Sequence, residues 1–206
     1  MNKKAIIYLH GFNSASLDMQ GNLLVAKEKL YILDNYCKQN TIKFFTPNVD
    51  YRDFQQIIDD ILLKWNHFFD RGYDITFIGS SMGGFACEYF AMMTGNQAIM
   101  INPAFNPSKI LQKFIGVSEN YETGQSYSWK QTYCDQYVHY EKELLNYSKP
   151  IDRIVLLDMG DELLDSAQTY DVYKEKAKVI TFEGGSHAFE HMQDALPIIE
   201  QAIFNS

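Results

Sequence analysis

The chain has 206 residues, 46% hydrophobic and 21% charged, with a formal net charge of −8 at pH 7, which suits one soluble domain of ordinary size. An acidic surface excludes the basic face that nucleic acid requires and disfavours an anionic membrane surface, so neither is an expected partner. Three cysteines, Cys37, Cys87 and Cys134, are odd in number and lack metal-ligand or redox spacing; a reducing, cytoplasmic setting is the expectation.

The first apolar run, Ala5–Leu9, is too short for a signal-peptide core or a membrane span and reads as a strand. A helical pattern over Asn22–Gln39 follows, then a strand at Ile42–Phe45 and a helix over Phe54–Phe69. Next come a strand at Ile75–Ile78, a helix over Met82–Thr94 and a strand at Ala98–Ile101. After a long interval the rhythm resumes with a strand at Arg153–Leu157, a helix at Ser166–Glu175, a strand at Val179–Phe182 and a helix from about Glu190 to Ile203. The strand candidates are apolar throughout rather than alternating, as strands buried on both faces are. Their alternation with helices predicts an α/β fold with a parallel sheet covered on both sides.

The interval from Ile101 to Arg153 shows no clear strand but is rich in Phe, Tyr and Trp, Trp129 among them. A structureless loop of that length is uncommon in a compact domain. It is expected to be a small aromatic-rich lid, residues 104–150, with its own short helices over the carboxyl edge of the sheet. With no repeat or interdomain linker, residues 1–206 are expected to form a single domain.

Gly79-Ser80-Ser81-Met82-Gly83 fits G-x-S-x-G between an apolar strand and a helix, the context of a nucleophile elbow. Positions two before and two after the nucleophile crowd the neighbouring strand and helix, so both must be small. Ser81 has Gly79 and Gly83 there, whereas Ser80 would have Ile78 and Met82. Ser81 is therefore the candidate nucleophile.

A serine hydroxyl needs a base. Of five histidines, His187 follows the last strand in "EGGSHAFEH" and would reach the same sheet edge as Ser81. His67 falls in a helix and His139 in the lid. His191, four residues after His187, could be read with it as a metal pair, but no third ligand stands near; it is expected to be an exposed helix residue, with no metal. The carboxylate that orients the base is Asp161, just past Gly160, with Asp158 and Asp165 as alternatives. The order Ser, Asp, His is that of α/β-hydrolases. After the first strand, His10 and Gly11 open a loop whose Phe12 N–H, together with that of Met82, would form an oxyanion hole.

The blocks "YLHGFNS", "GSSMGG", "NPA", "TG(x)(x)Y", "GDELLD" and "EGGSHAF" together resemble the small bacterial YqiA-type esterases of the α/β-hydrolase superfamily, over almost the whole chain. The resemblance implies a compact serine esterase acting on short acyl esters or on acyl-CoA thioesters. It puts the nucleophile on Ser81, the acid on Asp161, the base on His187 and the hole on Phe12 and Met82. It also implies a minimal α/β-hydrolase fold without the two leading strands of larger relatives: a six-stranded parallel sheet in the order 2-1-3-4-5-6.

The expected activity is acyl transfer from a small-molecule ester to water through an acyl-enzyme, with no cofactor. The rivals are an acyl-CoA thioesterase, for which only Lys109, Lys113 and Lys130 offer charge near the mouth, and a non-catalytic ligand-binding protein on the same fold. The oligomeric state leaves no mark in the sequence.

Overall fold

The first strand, β1 (Lys3–Leu9), sends alternate side chains to opposite faces. Ala5, Ile7 and Leu9 enter one apolar cluster, and Ile6 and Tyr8 enter the other. The same period-two division recurs in β3 (Tyr73–Ser80) and β4 (Gln97–Ile101). The sheet therefore has a core on each side, which is why its strands are almost wholly apolar. The computed structural model describes residues 3–205.

Helices α2 (Phe54–Phe69) and α3 (Met82–Thr94) cover one face. Helices α1 (Glu28–Gln39) and α7 (Met192–Asn205) cover the other. With β2 (Lys43–Phe45), β7 (Arg153–Asp158) and β8 (Lys178–Phe182), the parallel sheet runs β2-β1-β3-β4-β7-β8. Counting only its own strands, that is the expected 2-1-3-4-5-6. The register pairs Leu9 with Gly79, Ser80 with Ile101 and Asp158 with Phe182. The carboxyl ends of β1, β3, β7 and β8 thus form one rim. Among the described residues no helix is long and apolar enough to cross a membrane.

Two expectations need correction. Helix α1 starts at Glu28 rather than Asn22, because Asp18 captures the segment before it. The Asp18 carboxylate accepts the N–H groups of Gln20 and Asn22, and Leu17 bridges to Leu23. Such a local side-chain turn competes with helix.

The interval between β4 and β7 also contains strands. It runs α4 (Pro107–Ile110), a 3₁₀ turn (Leu111–Phe114), an antiparallel hairpin of β5 (Gly116–Glu119) and β6 (Ser126–Trp129), and α5 (Gln131–Asn146). The hairpin strands have four residues each and bury only Ser118 and Trp129, so they leave almost no apolar signal. The remaining elements, including α6 (Ser166–Tyr173), fall within two residues of expectation. Helix α5 packs into the core: the rings of Tyr137 and Tyr140 lie 5.4 and 4.8 Å from that of Phe54.

Candidate active site

Ser81 occupies the turn from β3 into α3 with φ 57° and ψ −119°, a conformation that is costly for a residue with a side chain. The turn is held on both sides. Ser81 N–H donates to Ile101 O at 2.9 Å, and Ser81 O accepts from Gly84 and Ala104. A Cβ at Gly79 would overlap the carbonyl oxygen of Gly83, and one at Gly83 would overlap that of Leu9. The glycines thus stand where strand, turn and helix backbones touch. The side chain of Ser80 turns elsewhere and accepts from Lys29 Nζ at 2.8 Å.

The loop after β1 is fixed by His10. Its Nε2 accepts the Val49 N–H at 3.0 Å, which leaves Nδ1 to donate to Gly11 O at 2.8 Å. Burial pushes this ring down to about 4, so it stays neutral. Tyr51 Oη donates to His10 O at 2.5 Å. Gly11 passes so close to the elbow that an added Cβ would lie 3.2 Å from Ser81 Cβ. Neither the Phe12 nor the Met82 N–H finds an acceptor among the described residues. The hairpin braces the same loop: Tyr121 N–H donates to Asn13 O at 2.8 Å, Asn120 Nδ2 donates to Ser14 O at 2.9 Å, and Tyr127 Oη bonds Asn13 Oδ1.

At the far side of the rim, His187 Nδ1 lies 2.7 Å from Asp161 Oδ2. Asp161 Oδ1 accepts the N–H groups of Leu163 and Leu164, both at 2.8 Å. Burial alone would raise this carboxyl, but the His187 contact and the two amides hold it below the usual range. Glu162 accepts the His187 N–H at 2.9 Å. The alternative acids are engaged elsewhere. Asp165 caps α6 by accepting from Gln168 N at 2.9 Å, and Asp158 pairs with His191.

His191 is not the exposed helix residue expected. It lies just before α7, stacks on Phe182 with centroids 5.1 Å apart, and places Nδ1 2.7 Å from Asp158 Oδ1. The stretch Gly184–Glu190 folds over Asp158 rather than into a helix, which brings His191 back to the sheet edge. His67 and His139 are exposed on α2 and α5.

Asn102 escaped the sequence reading. It is buried at φ 40°, accepts from Asp158 N at 2.9 Å and donates to Ser186 O at 3.0 Å. It thereby ties the end of β7 to the His187 loop. The signal was the "NPA" block, since asparagine tolerates positive φ better than most residues.

Ser81, His187, Gly11, Phe12 and Met82 line a single cavity of about 540 Å³. Ala104, Ile110, Leu111 and Phe114 supply an apolar wall to it. Ser81 Oγ and the His187 ring form no hydrogen bond to each other, a contact that commonly tightens only with substrate bound. Of the lysines expected near the mouth, Lys113 lines the cavity, and Lys109 and Lys130 do not; Lys27 and Lys29 do instead.

Residues 5–203 match the model of a family described as "Uncharacterised protein family (UPF0227)". Among solved structures, the fold is similar to Est1E from Butyrivibrio proteoclasticus (TM-score 0.72, 15% identity, 99% of this chain and 88% of that one). It is also similar to FphF, a fluorophosphonate-binding serine hydrolase of Staphylococcus aureus (TM-score 0.65, 18% identity, 98% and 84%). A metagenome-derived lipolytic enzyme matches at TM-score 0.70 with 12% identity (98% and 95%). Together these likenesses establish an α/β-hydrolase fold.

Proposed function

The chain belongs to the UPF0227 family of YqiA-like α/β-hydrolases, and on that premise we propose that it is a serine esterase cleaving carboxylic esters of short-to-medium acyl chains. The observation that carries this reading is the shared cavity: a strained, half-buried Ser81, two unused N–H groups and His187, itself paired with Asp161, all meet there. No structural need of the fold explains a serine at positive φ, so the strain points to function.

In the proposed cycle His187 takes the Ser81 proton as the hydroxyl oxygen attacks the ester carbonyl. With Nδ1 turned to Asp161, Nε2 is the nitrogen left for this transfer. The Phe12 and Met82 N–H groups receive the oxyanion, and each such donor is worth about 10²–10³ in rate. The protonated ring then hands its proton to the leaving alcohol, and water releases the acid by the same steps. The apolar wall suits a hydrocarbon acyl chain.

Thioester cleavage needs the same groups, and the lysines lining the cavity favour it as a second reading. The test is hydrolysis of p-nitrophenyl esters of increasing chain length beside matched thioesters. Ester turnover that falls at least about 10³-fold in Ser81→Ala supports the esterase. Turnover confined to thioesters supports the second reading, and turnover that survives Ser81→Ala defeats both.

A further inference from the structure

Lys29, the second residue of α1, points its ammonium into the same cavity, where Nζ donates to Ser80 Oγ. It forms no ion pair among the described residues. The other cavity lysines are differently placed: Lys27 is paired with Glu122 at 2.7 Å and bonded to Ser14 Oγ. Lys113 lies exposed, with Nζ 3.3 Å from Leu163 O.

None of the carboxylates around the cavity forms an ion pair with Lys29. Glu122 is held by Lys27 and Glu162 by the His187 N–H. Glu28 and Glu190 are exposed. Asp158 and Asp161, whose charges reach Lys29 through space, are each bonded to a histidine. A half-buried ammonium therefore faces the cavity with a neutral hydroxyl as its hydrogen-bond acceptor. Burial, helped by the charge of Lys27, pulls Lys29 down to about 8.

From this placement, and resting on the esterase reading above, we infer that Lys29 pairs with a carboxylate carried by the substrate, so that the preferred esters are anionic half-esters. Ser80, which holds the ammonium, adjoins Ser81 along the chain. With adjacent Cα atoms about 3.8 Å apart, the ammonium stands no more than roughly 11 Å from the nucleophilic oxygen. A few methylenes between the carboxylate and the reacting carbonyl span that gap. Neutral esters would leave the charge unpaired, and a charge-assisted hydrogen bond to it separates the two classes by about tenfold to a hundredfold in kcat/KM.

The experiment compares two matched pairs by pH-stat: monomethyl glutarate against methyl pentanoate, and 4-acetoxybutyrate against butyl acetate. The first places the carboxylate on the acyl side and the second on the alcohol side. The inference expects the anionic member of at least one pair to be favoured about tenfold or more. That ratio should fall at least tenfold in Lys29→Gln and recover in large part in Lys29→Arg. Neutral-ester hydrolysis by the unaltered chain should also be inhibited at least tenfold better by glutarate than by glutaramide, which needs no variant. Ratios within about twofold of each other across the three chains, with glutarate no better than glutaramide, overturn the inference and leave the esterase standing. Absence of any ester turnover removes the esterase and this inference with it.

Discussion

Asp158 and His191 are joined by a 2.7 Å contact, and the other oxygen of the same fully buried carboxylate takes the N–H groups of Glu190 at 2.7 Å and Ser186 at 3.2 Å. His187 lies between those two amides in the chain. The pair therefore fastens both ends of the loop that carries the candidate base. Asp158→Ala should destabilise the fold by about 3 kcal/mol or more, because buried partners are left unpaired. Urea unfolding checks this, and a loss under about 1 kcal/mol would mean that the loop is held by other contacts.

Asp161→Asn should behave differently. Its amide oxygen can still accept from Leu163 and Leu164, so the loop survives, but the ring of His187 loses its anionic partner and its preferred tautomer. A fall in kcat of about 10²–10⁴ with Tm lowered by only a few degrees is expected. Ester kinetics beside a thermal melt separate this from unfolding.

The buried ring of His10 makes stability depend on pH. Its folded value near 4 lies below the ordinary histidine value of about 6.5. As pH falls from about 6.5 to 4 the unfolded chain takes up this proton and the folded chain does not. Stability is thus fully present above that window and declines by about 3 kcal/mol across it. Below it the contribution of Asp161 follows: its folded value is depressed, so the stability it gives is lost as pH falls through that lower value. Urea midpoints from pH 7 to 4 should show a shallower slope in His10→Asn than in the unaltered chain; parallel slopes would exclude His10 as the source.

Gly83→Ala tests the steric origin of the elbow. The new methyl would overlap the Leu9 carbonyl oxygen, which belongs to a central strand and cannot move aside. A loss of about 3 kcal/mol or more is expected, at the upper end for overpacking. An alanine variant with unchanged Tm would show that the turn has room to spare.

What the sequence reveals follows the strength of local constraint. The central strands are legible because both faces are buried, and Phe54–Phe69 and Met82–Thr94 show clear boundaries. Ser81 could be chosen over Ser80 because the glycine spacing encodes a steric requirement. The hairpin was hidden because strands of four mostly exposed residues carry no apolar period. His191 was misread for a related reason: its placement depends on Asp158, thirty-three residues away, and no periodicity records such a contact.

The proposed nucleophile can be tested directly by treating the protein with a fluorophosphonate and mapping any adduct by mass spectrometry. One adduct is expected, on Ser81, absent in Ser81→Ala and formed much more slowly in His187→Ala. Labelling that persists in Ser81→Ala, or a folded protein that takes up no label, would contradict that assignment.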